Sequence, residues 1–160
     1  MHDTKIIPPG EGSTVSLPGN EVTFVHSGPD SAYSLLEWKA APDVPGTPLH
    51  IHRMTDEAFY VLEGMFGFQA GEQTVEALPG AFVFVPKGLA HAFWNAGPTL
   101  AKMFITVSPP GFERYFEDLA EGLAAAGNSA TAVTEVRKML SKKHDIEVVG
   151  PPRQGGSAGH

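Results

Sequence analysis

A run of short segments rich in β-branched and aromatic residues fills residues 21–108 and constrains the fold more than any other feature. Examples are "EAFYVLEG", "AFVFVPKG" and "AKMFITVSP", and Gly, Pro, Asn or Asp falls between most of these segments. Such residues favour strands, and strands at this regular spacing are typical of a sandwich or barrel. The 18 glycines and 14 prolines suit the many turns of that architecture. The pattern therefore predicts an all-β domain.

The segments on either side of these predicted strands have different patterns. Residues 1–20 are polar and rich in Gly and Pro, which predicts an irregular N-terminal arm. Apolar residues between Phe112 and Leu123 follow helical spacing, and a second helix is predicted from about Ala130 to Lys143. We expect both helices to pack outside the β-domain or in a dimer contact. The predicted organisation is one domain with an arm (1–20), a β-barrel (21–108), helices (109–145) and a flexible tail (146–160).

Composition excludes several classes of protein. The chain has no cysteine, which rules out disulfides, thiolate metal sites and a cysteine nucleophile. Its net charge is -7 and its 11 Lys and Arg residues do not cluster, which argues against a nucleic-acid partner. The sequence shows neither a signal-peptide pattern nor an apolar stretch of about 20 residues, the length that a membrane span needs. We therefore predict a cytoplasmic protein with no membrane partner.

Four polar residues could meet at one point. His50 and His52 alternate on a predicted strand, so their side chains share a face. Glu57 follows the short bend "RMTD" and can return to the same point from the next strand. The turn "VPKGLAH" delivers His91 at the start of a later strand, where a barrel would bring it beside the others. These four residues are our predicted metal ligands.

The chemistry of this donor set indicates a divalent transition metal. Three imidazoles and one carboxylate suit Fe, Mn, Ni, Cu, Co or Zn, and the sequence does not choose among these ions. Four protein ligands on an octahedral ion leave positions open for water, dioxygen or substrate, as catalysis requires.

The same residues match the motifs of the cupin superfamily, which the central half of the chain resembles. The first motif, G-x5-H-x-H-x(3–4)-E-x6-G, is matched by His50, His52, Glu57 and Gly64. The second motif, G-x5-P-x-G-x2-H-x3-N, is matched at every position by Gly80, Pro86, Gly88, His91 and Asn95. The resemblance implies a single-domain jelly-roll β-barrel with the metal inside it, and it implies ligand roles for the three histidines and Glu57.

One position departs from the first motif. The resemblance to a narrower group within the superfamily rests on the general similarity of two sequence stretches. Val44 stands where the motif begins with glycine, and the nearest glycine is Gly46. Within the superfamily, the stretches "DEAFYVLEG" and "GAFVFVPKGLAHAFWN" are most similar to small bacterial cupins described as quercetinase-like.

That resemblance implies a metal-dependent dioxygenase acting on a small hydrophobic or aromatic enol or phenol, with dioxygen as co-substrate. Glu57 would be both a metal ligand and the catalytic base. Phe59, Val61 and Phe93 share strand parity with the ligands and are predicted to form apolar walls of the substrate pocket, with plain core packing as the alternative. Arg53 and Lys87 are the cations nearest the ligands in sequence, and neither is clearly placed to bind a carboxylate substrate.

Two other classes of function stay open. The same ligands could hold Zn or Ni for an isomerase or a polyketide cyclase, both of which occur in the superfamily. A non-enzymatic cupin that binds a small molecule is the third reading. For any of them a homodimer is expected, because an open barrel has edge strands that need covering, with the arm and the helices as candidate contacts.

Overall fold

The computed structural model describes residues 4–156, which form two antiparallel sheets and two helices. The strands are β1 (Ser13–Leu17), β2 (Asn20–His26), β3 (Ser34–Ala40), β4 (Pro48–Ile51), β5 (Asp56–Glu63), β6 (Phe66–Ala70), β7 (Gln73–Ala77), β8 (Phe82–Val85), β9 (His91–Asn95), β10 (Ala101–Ser108) and β11 (Glu147–Pro152). The helices are α1 (Arg114–Ala126) and α2 (Ala130–Lys143). The predicted all-β character is confirmed.

Each sheet combines strands that are distant in sequence. The six-stranded sheet has the order β1-β2-β3-β10-β5-β8, and the five-stranded sheet has the order β11-β4-β9-β6-β7. The order is consistent with the predicted jelly roll. The described strands form two separate sheets that do not close into a barrel, which corrects the predicted β-barrel and agrees with the expected open edges. The pairing of β10 with β5 carries a register shift between Lys102 and Met103.

Alternating burial explains why these segments form strands. In β3 and β10, every second residue is buried, so each strand offers one apolar face to the interior. Between the sheets the core is aromatic: the Phe59 ring lies 5.1 Å from that of Phe68 and 5.4 Å from that of Phe93, measured between centroids. Burying one such side chain contributes roughly 1.5–3 kcal/mol, so this cluster is a main source of stability.

The two helices pack over the interior between the sheets. Tyr115, Phe116 and Leu119 form the buried stripe of α1, and the Phe116 ring lies 5.4 Å from the ring of Trp38 on β3. Helix α2 has the predicted bounds, and the Ser129 hydroxyl caps it by accepting a hydrogen bond from the Ala132 amide. Neither helix, in the part of the chain that the structure describes, is long and apolar enough to cross a membrane.

The predictions for the two ends need correction. Residues 13–17, assigned to the arm, form β1, because Val15 and Leu17 alternate inward and a Pro18–Gly19 turn returns the chain to β2. Residues 147–152, assigned to the tail, form β11 on the edge of the second sheet beside β4. An edge position tolerates the prolines that made this segment read as a tail. Residues 1–3 and 157–160 lie outside the described residues.

Candidate metal centre

The four predicted ligands converge between the sheets. His50 on β4 and His91 on β9 are direct partners across the second sheet, and His52 lies one residue beyond β4. Glu57 comes from β5 in the first sheet. Their candidate ligand atoms all lie within 4.8 Å of one another, and the four residues are between 1% and 4% exposed. This buried cluster can hold a metal ion.

Backbone carbonyls fix the orientation of all three imidazoles. The Nδ1 atom of His50 lies 2.7 Å from the Pro48 oxygen, and that of His91 lies 3.0 Å from the Leu89 oxygen. The Nδ1 atom of His52 makes a short hydrogen bond to the backbone oxygen of Asp145. A carbonyl can only accept, so each Nδ1 carries the hydrogen and donates it. In a neutral ring the lone pair then belongs to Nε2, the atom that a metal needs.

The Glu57 carboxylate supplies the negative charge of the cluster. Its Oε2 atom lies 2.8 Å from Nε2 of His91 and 3.3 Å from Nε2 of His52. Burial alone would raise the pKa of Glu57, but the contacts with His52 and His91 outweigh burial and hold that pKa below its ordinary value. Glu57 is therefore ionised at neutral pH, as a metal ligand must be.

His50 on β4 and His52 just beyond it differ in their affinity for protons. Burial, followed by the charges of His91 and His52, lowers the pKa of His50 to about 3, so this ring stays neutral. Burial would also lower the pKa of His52, but the Glu57 carboxylate beside it outweighs burial and raises that pKa. Protons therefore compete with a metal ion for His52, which makes metal binding depend on pH.

The donor set fits a divalent first-row ion. Among the described residues, only two buried side-chain polar atoms lack a hydrogen-bond partner, and one of them is Nε2 of His52. Leaving such an atom unpaired costs about 1–3 kcal/mol. A bound cation would satisfy it together with the other two Nε2 atoms and the carboxylate. Three imidazoles and a carboxylate do not by themselves select one metal.

Comparison with known proteins agrees with this geometry. Residues 36–108 match the family model described as Cupin domain, a stretch that includes all four ligand candidates. This stretch, a little under half of the chain, is similar to the Cupin domain family. The match and the fold support the cupin superfamily, while the narrower resemblance to quercetinase-like cupins stays a prediction.

Individual relatives of the cupin domain are distant. An uncharacterized protein of Streptomyces coelicolor is 33% identical over 55 residues, which is 34% of this chain, and the match spans about half (51%) of that relative. The structure of KdgF from Halomonas sp. has a TM-score of 0.62 at 21% identity, covering 70% of this chain and 99% of that one. The polyketide cyclase RemF from Streptomyces resistomycificus has a TM-score of 0.58 at 23% identity, covering 68% and 83%. At such identities the structures show a shared fold.

The turns of the cupin motifs have the expected structural roles. Gly64, Gly80 and Gly88 have φ angles of 72°, 90° and 86°, in the left-handed region that favours glycine. The Asn95 side chain donates to the Ala40 and Thr99 carbonyls, which holds the end of β9 in place. These residues shape the backbone around the site, and the Gly88 amide donates a hydrogen bond to the His52 carbonyl oxygen (2.6 Å).

The departure in the first motif has a structural explanation. A Cβ atom on Gly46 would lie 2.3 Å from the Phe93 carbonyl oxygen and 2.6 Å from the Trp94 Cβ, so only glycine fits against β9 there. The required glycine therefore stands two positions after Val44. The Val44 side chain fills the space beside Gly19 and contributes to a cavity wall.

Sequence reasoning missed Asp145, which supports the ligand loop from outside the matched segment. Its carboxylate accepts hydrogen bonds from the Arg53 amide (2.8 Å), the Met54 amide (2.9 Å) and the Thr55 hydroxyl (2.8 Å). Its backbone carbonyl orients His52, as described above. Asp145 thus fixes both His52 and the bend that leads to Glu57. A lone Asp between a helix and an edge strand gives no sequence signal for this role.

A mainly apolar cavity of about 200 Å³ reaches the metal centre. His50, Glu57 and Phe93 form part of its wall, and the predicted contact of Phe93 with substrate stays a prediction. Phe59 and Val61 are fully buried in the core, and their predicted contact with substrate stays a prediction. Helix α1 was expected only to pack, yet Phe112 in the turn before it and four residues of the helix supply a large part of the lining: Tyr115, Phe116, Leu119 and Leu123.

Proposed function

We propose that this cupin is a mononuclear metal-dependent enzyme acting on a small hydrophobic or aromatic enol or phenol, with dioxygenation as the leading reaction. One observation carries the proposal. Three imidazole Nε2 atoms and an ionised carboxylate converge at the wall of a mainly apolar cavity. A buried donor set of this kind beside a ligand-sized space is typical of a catalytic metal site.

His50, His52, Glu57 and His91 would hold the ion, which fits their donor atoms. A bound divalent cation would act as a Lewis acid that favours the deprotonated form of a substrate hydroxyl. The backbone carbonyls of Pro48, Leu89 and Asp145 keep the three rings aimed at one point. The aromatic walls exclude water, so the substrate's oxygen would be the polar group that contacts the metal centre.

Glu57 is the proposed proton acceptor. Its carboxylate is ionised, as an acceptor must be, and its Oε2 atom lies in the centre of the cluster. A carboxylate with a depressed pKa is a weak base. It would therefore act on a hydroxyl whose own pKa is already low, such as that of an enol or a phenol.

The size of the cavity narrows the substrate. At about 200 Å³ it is smaller than the 300–1,000 Å³ common for drug-sized ligands. A molecule with one ring or a short acyclic enol fits this space better than a three-ring flavonol. We therefore favour a small β-diketone-like or phenolic substrate, with dioxygen as co-substrate.

A non-oxidative reaction is the second candidate. The fold is shared with RemF, which is described as a polyketide cyclase, and cyclisation or isomerisation would need the same buried ion without dioxygen. The fold hosts many functions, so the likeness supports the reaction class only as a proposal.

Elemental analysis followed by two turnover assays tests the proposal. Protein prepared without a chelator or a histidine tag should contain close to one equivalent of a divalent transition metal. Oxygen uptake with a small β-diketone or phenol would support dioxygenation, whereas turnover without oxygen would support the second candidate. Protein that binds no metal would refute both. Protein that holds metal and binds these molecules without turnover would indicate a binding cupin.

A further inference from the structure

A positively charged side chain from α2 reaches the cavity of the metal centre. Arg137 lies in the cavity wall together with Tyr115 from α1 and the ligands His50 and Glu57. Of the described lining residues, Arg137 is the one Lys or Arg. Arg53 and Lys87 are the cations nearest the ligands in sequence, and nothing in the sequence indicates that α2 folds over the site.

Arg137 lacks the carboxylate partner that Arg53 and Lys143 have. Arg53 pairs with Glu147 at 2.7 Å, and Lys143 pairs with Asp118 at 2.7 Å. No carboxylate of the described residues lies within ion-pair distance of the Arg137 guanidinium. The residue is only partly exposed. A cation that has lost part of its water and has no protein counter-charge favours an anion brought by a ligand.

The charge of Arg137 is felt inside the cavity. Burial raises the pKa of Tyr115, and the nearby Arg137 charge opposes that rise. The metal centre is the second polar site in the cavity wall. A divalent ion there, with Glu57 as its one anionic ligand, would carry a net positive charge. Both polar sites would then attract negative charge, while the aromatic walls accommodate an apolar body.

Arg137 also lies where the cavity borders the outside. Arg137, Pro45, Pro48 and Ile146 line both the inner cavity and an outer groove of about 910 Å³ beside α2 and β11. A ligand approaching through the groove would therefore meet the guanidinium before it meets the metal centre.

We propose that Arg137 is a specificity-determining residue that binds a carboxylate of the substrate, whose enol or phenol oxygen faces the metal centre. This inference rests on the proposed function and narrows its substrate to small hydroxy or keto acids. A single planar guanidinium matches a carboxylate in two-point hydrogen bonding. A phosphate is usually held by several donors or a helix N-terminus, and this wall offers one cation.

Matched ligand pairs test the inference. We would load the protein with Zn²⁺ and titrate it with 3-hydroxybenzoate and 3-hydroxybenzamide, then with 4-hydroxyphenylacetate and its amide, by calorimetry. Each pair keeps the shape and the phenol and changes only the charge. The native protein should bind at least one carboxylate about ten-fold more tightly than its amide, as a charged hydrogen bond implies. Arg137→Gln should remove that preference, and Arg137→Lys should keep part of it.

Lys142→Gln is the control, since it removes the same charge from an exposed position of α2 that lies outside both cavities. It should keep the preference, and thermal unfolding should show that Arg137→Gln is folded. Equal affinity for acid and amide, a preference that survives Arg137→Gln, or binding of no probe would overturn the inference. Zinc content separates the two proposals. Protein that binds no zinc refutes the proposed function, whereas zinc-loaded protein without a charge preference refutes only the role of Arg137.

Discussion

His50 and His91 face each other directly across the antiparallel strands β4 and β9, although they are far apart in sequence. Their ring centroids are 4.3 Å apart. The register of one strand pair therefore sets the distance between two metal ligands, and a slip of one residue would turn one of them away. The ligand cluster depends on the sheet for its shape, and this leads to the first prediction.

Replacing His91 by alanine should remove the metal and leave the fold. The variant loses one of three imidazole ligands, so metal affinity should fall by more than the 10–100-fold typical of supporting residues. His26→Ala is the control, because His26 bonds to Ser31 away from the cluster. Elemental analysis and circular dichroism check both points. A folded His91→Ala protein with a full equivalent of metal would contradict the four-ligand centre.

Replacing Asp145 by alanine should weaken metal binding without removing a ligand. The change deletes three hydrogen bonds that hold the bend between His52 and Glu57. We expect roughly 10–100-fold lower metal affinity, measured by competition with a chelator. Glu147→Gln is the matched control, since it breaks only the exposed pair with Arg53, a type of contact worth at most about 1 kcal/mol. Equal affinities in both variants would show that Asp145 does not support the site.

His50 should make the metal-free protein less stable in acid. Its pKa is about 3 in the folded protein and 6.5 ordinarily, so between these values only the unfolded chain takes up the proton. Stability should therefore fall as pH drops from 6.5 towards 3, by up to about 1.4 kcal/mol per pH unit. The free energy of unfolding is measured in urea for the native protein and for His50→Asn, both with chelator. The difference between the two values at each pH is the contribution of His50. A difference that does not change with pH would contradict the neutral, buried state of His50.

Gly46→Ala should destabilise the protein by about 1–3 kcal/mol, the usual cost of overpacking. The added methyl would meet the Phe93 carbonyl oxygen at 2.3 Å. Gly97→Ala is the control, because its nearest contact would be an ordinary 3.5 Å. Denaturant unfolding compares the two variants, and similar midpoints would mean that the loop before β4 can move aside.

The homodimer stays a prediction, and strand β8 offers a way to test it. This edge strand exposes 64% of Phe82 and 55% of Phe84, beside the half-exposed Tyr60 on β5. Light scattering of the native protein should give twice the chain mass. If β8 forms the contact, Phe82→Ser with Phe84→Ser should give a monomer, whereas Leu78→Ser, a control at another exposed apolar residue, should not. A native monomer would contradict the predicted dimer itself.

The sequence predicted which four residues come together, because local rules place each of them on its strand. Strand alternation places His50 and His52 on one face, and the spacing of the second motif places His91 at a strand start. The second helix was also predicted, since its apolar residues Val133, Val136 and Leu140 lie within a few residues of one another on one face. In each case the residues that determine the local structure lie within a few positions of one another in the sequence.

Other parts of the site could not be read from the sequence because they depend on tertiary contacts. Asp145 lies far from His52 along the chain, and an edge strand containing Gly150, Pro151 and Pro152 looks like a tail. Arg137 has an ordinary position on a helix, and only the packing of α2 over the sheets brings it to the cavity. Periodicity shows which face of a helix is apolar and does not show which cavity that helix covers.

The pairing of β11 with β4 bears on when the protein can take up its metal. Residues 145–152, which orient His52 and flank the strand of His50, are synthesised after the whole segment 36–108. On the ribosome the four ligands emerge first, and the support for His52 follows. A nascent chain that ends before Asp145 would hold the ion weakly, so we expect secure metal retention only after residues 145–152 have been synthesised.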